Sequence, residues 1–369
     1  MAKTATKVAT TRILASGDYL LLHWLGYQLV EFYGPFRLLK SHLFLMGFGA
    51  ALAALLTWYL LPRLWRRLPT DQGRLHAVGA GQSVGKPVGA GVIIVPVFVL
   101  VSLLTLPLDL RFVEVLAVIL LMMLEGYLDD RKPGGLREYQ LGMIDLGLAL
   151  LGAMILCQLQ PMQIWLPVFK AQITLPVWAF IPLATALIWL TINATNCTDG
   201  VDGLSGSLSA VSFTYLGGIL YAILGQEANS KYLLVPYYPD GTGWATLGFV
   251  MTGCLLGYLW HNAPPSQVLM GDAGSRPVGF LMGMLVLASG NPFLIIVVAG
   301  VILVNGATGL LKVFLLRFFK IGIFKKVRYP LHDHFRRENG WSNPQVLVRF
   351  VLLQIVLTPL LLLFLFKVR

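Results

Sequence analysis

Apolar runs close to twenty residues long recur from residue 42 to residue 367, opening with LFLMGFGAALAALLTWYLL and closing with VLVRFVLLQIVLTPLLLLFLF. A helix needs about twenty such residues to cross a hydrocarbon core about 30 Å thick. Only helices and closed barrels satisfy their backbone groups in that environment. Spans are predicted near 42–62, 88–107, 112–128, 141–159, 176–194, 205–225, 244–260, 276–289, 293–317 and 346–367. The expected fold is therefore all-α, a polytopic integral membrane protein of about ten transmembrane helices. Composition agrees, since 12% of residues are charged, about half the share found in soluble domains.

Residues 1–41 read as an N-terminal extension and residues 42–369 as one transmembrane domain. Within the extension, YLLLHWLGYQLVEFYGPFRLL is aromatic and interrupted by His, Gln, Glu and Pro, the pattern of an interfacial helix. The basic start, MAKTATKVATTR, has no short apolar core and small-residue cleavage site behind it, so no removable signal is expected. Cys157, Cys197 and Cys254 are scattered without CxxC spacing, which implies neither a disulfide framework nor a zinc knuckle.

The net charge of +11 lies beside the spans, where it serves anionic headgroups and orientation rather than nucleic acid. Arg63, Arg66, Arg67, Arg74 and Lys86 follow the first span, and Arg131, Lys132 and Arg137 follow the third. A further basic strip, from Lys320 to Arg337, precedes the last span. By the positive-inside rule that side is cytoplasmic and both termini lie outside. Four polar clusters fall on it: EGYLDDRK (125–132), INATNCTDGVDGLSG (192–206), WHNAPPSQVLMGDAGSRP (260–277) and RYPLHDHF (328–335).

Asp129 and Asp130 suit either a solvated loop or a cation site, because adjacent carboxylates repel unless a metal or a proton intervenes. Asn193, Asn196, Asp199 and Asp202 recur every third residue and so share a helical stripe if the helix runs through them. A calcium EF-loop is excluded there, since Val201 and Ala210 stand at its third and twelfth positions. Asp272 is a lone acid between Gly271 and Gly274, either a helix cap or a third acidic ligand on the same face. Hard oxygen donors without a nearby thiol favour magnesium or manganese over zinc. His332 and His334 make an HxH pair with no third zinc ligand, so a phosphate contact suits them better among the basic residues. Absence of a GxxxxGK[ST] loop argues against an ATP-driven transporter, and carboxylates at span ends argue against a channel. Acidic ligands, amides, a Gly-rich loop and a basic strip suit divalent-ion chemistry on a phosphate ester.

GYLDD, NATNCTDGVDGLSG, LWHNAPPSQVLMGDAGS and PLHDHF with GWSNPQVLVRF resemble the motifs of the polyprenyl-phosphate N-acetylhexosamine-1-phosphate transferase superfamily, over residue 42 to the end. The last two look most like its phospho-N-acetylmuramoyl-pentapeptide transferase branch. That resemblance implies a ten-helix enzyme of the bacterial inner membrane with a cytoplasmic cleft and, typically, a homodimer. It implies transfer of phospho-N-acetylmuramoyl-pentapeptide from its UDP conjugate to undecaprenyl phosphate, giving lipid I and UMP with Mg2+. The nearest sibling reaction uses UDP-N-acetylglucosamine. By position, Asp129, Asp130, Asp272 and His332 take catalytic places, and Asp272 is the magnesium ligand. Asn193, Asn196, Asp199 and Asp202 line the nucleotide and diphosphate cleft; Asn262, Gly271 and Ser275 stand near the nucleoside, and His334 and Lys132 contact substrate. The chain departs from the pattern at Asp333, the middle of a histidine triplet, and at Leu269, where an aromatic is usual. GKPVGAGV replaces a threonine-bearing stretch, Lys132 comes one residue early, and Asp145 stands where a lysine is expected.

Overall fold

The computed structural model describes residues 21–73, 83–106, 109–166 and 172–367. The basic N-terminal stretch, Arg74 and His76 lie outside these residues. The structure is all-α apart from one hairpin, and each predicted span contains helix: α2 His42–Leu64, α3 Gly91–Thr105, α4 Leu110–Arg131, α5 Glu138–Cys157, α6 Val177–Thr198, α7 Leu204–Gly218, α9 Gly241–Asn262, α10 Asp272–Ala288, α12 Thr308–Phe319 and α14 Asn343–Lys367. Shorter helices are α1 Leu21–Leu29, α8 Glu227–Leu233, α11 Leu294–Val298 and α13 Leu331–Glu338. Among the described residues, seven helical stretches are long and apolar enough to cross a membrane. α3 and α10 are shorter, and α4 carries the charges that the site requires.

Local chemistry sets the helix starts. Ser41 Oγ accepts from the Phe44 amide at the head of α2, and Asp109 Oδ1 from the Arg111 amide at the head of α4. α1 lies against the short turn before α2, with His23 Nε2 3.1 Å from the Lys40 carbonyl. The hairpin Met162–Trp165 with Gln172–Leu175 (β1, β2) is antiparallel, and Trp165 Nε1 donates to the Ser289 carbonyl at the end of α10.

α10 is the axis of the bundle: every residue from Asp272 to Leu287 is buried. α3, α4, α6, α7 and α9 surround it. Gly279 and Gly283 let α6 approach closely, since a Cβ at Gly279 would lie 2.6 Å from the Ile192 Cα. Small residues four apart are the usual means of close helix packing in a bilayer.

The ninth predicted span is broken between α11 and α12. Ala299 leaves helical geometry (φ −131°, ψ 25°), and a π-helical stretch, Leu303–Ala307, precedes α12. The regular bond from the Val301 amide to the Val297 carbonyl is replaced by one side chain. Gln354 of α14 accepts from the Val301 amide at 2.9 Å and donates to the Val297 carbonyl at 3.2 Å. Thr358 Oγ1 adds a second bond to the same carbonyl. Backbone groups freed at a break within a membrane need such partners. α12 then runs on with no buried residue.

Candidate active site

The last turn of α4 carries Asp129 and Asp130 beside the first turn of α10. Gly126 makes this possible: a Cβ there would overlap the Asp272 carbonyl group. Asp130 reaches across and caps α10, its two oxygens accepting from the Asp272 and Ala273 amides at 2.9 and 3.0 Å. A carboxylate at that end also meets the positive pole of the helix. Gly271, with φ +69°, turns the chain into α10, and a Cβ there would strike Asp130 Oδ2. Asp129 Oδ1 accepts from the Leu136 amide at 2.6 Å, which folds the following loop back on the cluster.

Asp129, Asp130 and Asp272 each present an oxygen within 4.8 Å of the others. The donor set is all carboxylate, which fits a hard divalent cation. Asp272 is held on both sides. Asn196 Nδ2 donates to its Oδ1 at 2.9 Å and to Ser275 Oγ at 3.0 Å. Arg276, one turn further along α10, places Nε and Nη2 on Oδ2 at 2.9 and 2.8 Å. The far side of the guanidinium meets Asp145 Oδ2 of α5 at 2.5 Å and lies 3.9 Å from Glu125 Oε1 of α4.

The loop after α6 forms the adjoining wall. Asp199 and Asp202 are partly exposed there, while Asn193 is half-buried and donates to the Trp189 carbonyl. Asp202 Oδ2 accepts from the Ser266 amide at 3.1 Å, with Lys86 Nζ 3.6 Å away. Lys86 also donates to Ser266 Oγ. Asn262 is a buried clamp, accepting from the Gly203 amide and donating to the Val268 carbonyl, both at 2.7 Å. These two bonds give Asn262 a scaffold role between the loops beside the cluster. Ser275 is likewise internal, donating to the Gly271 carbonyl. Lys132 is exposed at the end of α4.

His332 of α13 is buried. Asn305, in the π-helical stretch, donates to its Nδ1 at 3.1 Å and accepts from its backbone amide at 2.9 Å. Asn305 also donates to Thr198 Oγ1 at the end of α6. Accepting at Nδ1 leaves the proton on Nε2, which faces Gly200. Burial, and then Arg336, push the His332 pKa down to about 3, so the ring is neutral. His334 Nδ1 lies 3.4 Å from the Arg328 amide. Asp333 is buried, with Arg336 Nη1 at 3.3 Å.

The four polar clusters therefore meet at one end of the bundle. Lys86, Glu125, Asp145, Arg276 and Asn305 were not singled out as site residues from the sequence. Arg276 had a local signal in its four-residue spacing from Asp272, and Glu125 in opening the EGYLDDRK cluster.

The sequence profile of glycosyl transferase family 4 matches residues 112–290. That stretch holds the acidic cluster, the Asn/Asp loop and Arg276. A phospho-N-acetylmuramoyl-pentapeptide-transferase from Treponema pallidum (strain Nichols) is 48% identical over 92% of this chain and 94% of its own length. The chain belongs to the phospho-N-acetylmuramoyl-pentapeptide-transferase family. Members bearing the same name from Ruegeria pomeroyi (32% identical over 84% of this chain and 90% of theirs) and Citrifermentans bemidjiense (31% over 91% and 97%) cover nearly all of it as well. Family membership makes the protein a phosphoglycosyl transferase embedded in a membrane, and the acidic cluster fits the metal dependence general to such enzymes. The match extends past the profile's end, so the C-terminal histidine segment belongs to the shared architecture.

Proposed function

We propose that this protein transfers phospho-N-acetylmuramoyl-pentapeptide from its UDP conjugate to undecaprenyl phosphate, giving lipid I and UMP at the cytoplasmic face of a bacterial inner membrane. The carrying observation is the convergence of Asp129, Asp130 and Asp272 within 4.8 Å, beside an amide-rich loop, in a chain 48% identical to a named transferase. A polyanionic donor and a phosphorylated lipid repel each other, so the reaction needs a site that gathers both at the membrane surface. We assign Mg2+ to the acidic cluster with Asp272 as its principal ligand. Bound there, it would neutralise the donor diphosphate and stabilise departing UMP.

The chain's own residues supply the rest. Asn196 fixes the direction of Asp272, while Asp130 keeps the head of α10 in register with α4. Asp129 orients the lipid phosphate and accepts its remaining proton; since a phosphate dianion is already nucleophilic, orientation is the larger contribution. An oxygen of that phosphate bonds to the sugar-linked phosphorus as the bond to UMP breaks, and UMP leaves with the electron pair. Asn193, Asp199 and Asp202 line the donor side, with Lys86 and Lys132 facing its phosphates. His332 offers the Nε2 proton to a phosphate oxygen near Gly200, and His334 flanks it. We assign the homodimer on the family resemblance.

The test is UMP release by the purified protein supplied with undecaprenyl phosphate and either UDP-N-acetylmuramoyl-pentapeptide or UDP-N-acetylglucosamine. Turnover is expected with the first donor only, lost on chelation of metal and in Asp272→Asn. Turnover with the second donor alone would overturn the assignment.

A further inference from the structure

Arg276 sits behind the acidic cluster in surroundings that fold stability does not require. It is 5% exposed on the central helix, and Asp272, Asp145 and Glu125 surround it at 5%, 0% and 6% exposure. Glu125 accepts no hydrogen bond from the described residues; its nearest cation is Arg276, at 3.9 Å. Replacing a buried ionic cluster by apolar groups is often neutral or stabilising, so four ionisable groups at this depth point to a task beyond holding helices together.

Geometry indicates the task. Two guanidinium N–H groups converge on Asp272 Oδ2, while Asn196 takes Oδ1. One oxygen of the principal metal ligand is thus occupied by a fixed cation, and Asp145 holds that cation from the other side. A positive charge one side chain away from a cation site weakens it, and in a water-poor interior the effect is large.

We propose that Arg276 is a positioning residue that loosens the metal site, a reading that rests on the metal assignment above. With one Asp272 oxygen and part of its charge taken up, the protein alone binds a divalent ion weakly. The donor diphosphate would then supply the ligands that the protein alone does not. Asp145, standing where the family pattern has a lysine, is the counter-charge that keeps the arginine in this place.

The experiment is a titration of the purified full-length protein with Mn2+, followed by loss of the free-ion electron paramagnetic resonance signal, with thermal unfolding as the check on folding. Arg276→Gln keeps a donor beside Asp272 but removes the charge; it should lower the Mn2+ Kd tenfold or more. Asp145→Asn alone should move it the other way, raising it several-fold. Asp145→Asn combined with Arg276→Gln restores the cluster's formal charge and should return the Kd toward the parent. Asp272→Asn should abolish binding at the site. An unchanged or weaker Kd in folded Arg276→Gln, or a tighter one in Asp145→Asn, overturns the proposal while leaving the metal site intact. Unaltered Mn2+ binding in Asp272→Asn would instead remove the metal assignment itself.

Discussion

Gly126 offers a direct test of how tightly the site depends on helix spacing. Its substitution by alanine adds one methyl group between α4 and α10, where the new Cβ would fall well inside 3.0 Å of the Asp272 carbonyl group. That neighbour is backbone and cannot rotate away, so the two helices must part by more than half an ångström. Overpacking of this kind costs about 1–3 kcal/mol. The kinetic effect is larger than the stability effect, because Asp129 and Asp130 lie just beyond Gly126 and move with α4. Misplacing reacting groups by an ångström costs about 100-fold in rate. Gly126→Ala should therefore lower kcat for UMP release by roughly 30- to 100-fold. The control is Gly147→Ala in α5, which has nothing within 4 Å of its new Cβ. It should leave kcat unchanged and stabilise slightly through helix propensity. The two variants are compared by UMP release and by thermal unfolding in the same detergent. Parent-like turnover in Gly126→Ala would refute the claim that this contact sets the distance between the carboxylates of α4 and Asp272.

Asn196→Ala releases Asp272 Oδ1 and should cut kcat about tenfold or more, raising the Mg2+ concentration needed for half activation while altering thermal stability by only about 1 kcal/mol. His332 makes folding pH-sensitive in a definite direction. Its pKa is near 3 in the folded protein and about 6.5 unfolded, so its contribution is complete above pH 6.5 and is lost as pH falls toward 3. Unfolding followed between pH 7.5 and 5 should show about 1.4 kcal/mol lost per unit below 6.5, and His332→Gln should flatten that slope. Lys86→Gln breaks a partly exposed pair with Asp202, so stability should change by less than about 1 kcal/mol. The KM for the nucleotide donor should rise several-fold instead, with a weaker dependence on salt, as enzyme assays at two ionic strengths would show.

The helices and their crowding at one end were legible because spans of about twenty apolar residues admit few other folds. The acidic positions were legible too, since carboxylates and amides beside spans have few apolar uses. What each one does was not. That both oxygens of Asp130 bind the amides of another helix was not visible in the aspartate pair itself. That Asn262 joins two loops through their backbones was not visible either. The Gly203 partner of Asn262 is 59 residues away and the α10 partners of Asp130 are 142 and 143 away, which local spacing does not encode. Asp145 read as a bare departure from a pattern, and its meaning came only with Arg276 placed against it. Gln354, the support of the break in the ninth span, lies 53 and 57 residues from the groups it holds and could not be read from within that span.

That support has a consequence of its own. A proline would have fixed the elbow by covalent geometry, whereas here a carboxamide from a neighbouring helix stands in for one missing rung. Losing that amide would leave the Val301 N–H without its acceptor, so the bend and the outlying helix beyond it lean on one side chain of α14. The stretch just beyond it carries Asn305, so the imidazole that Asn305 aligns is tied through a single residue to the same broken span.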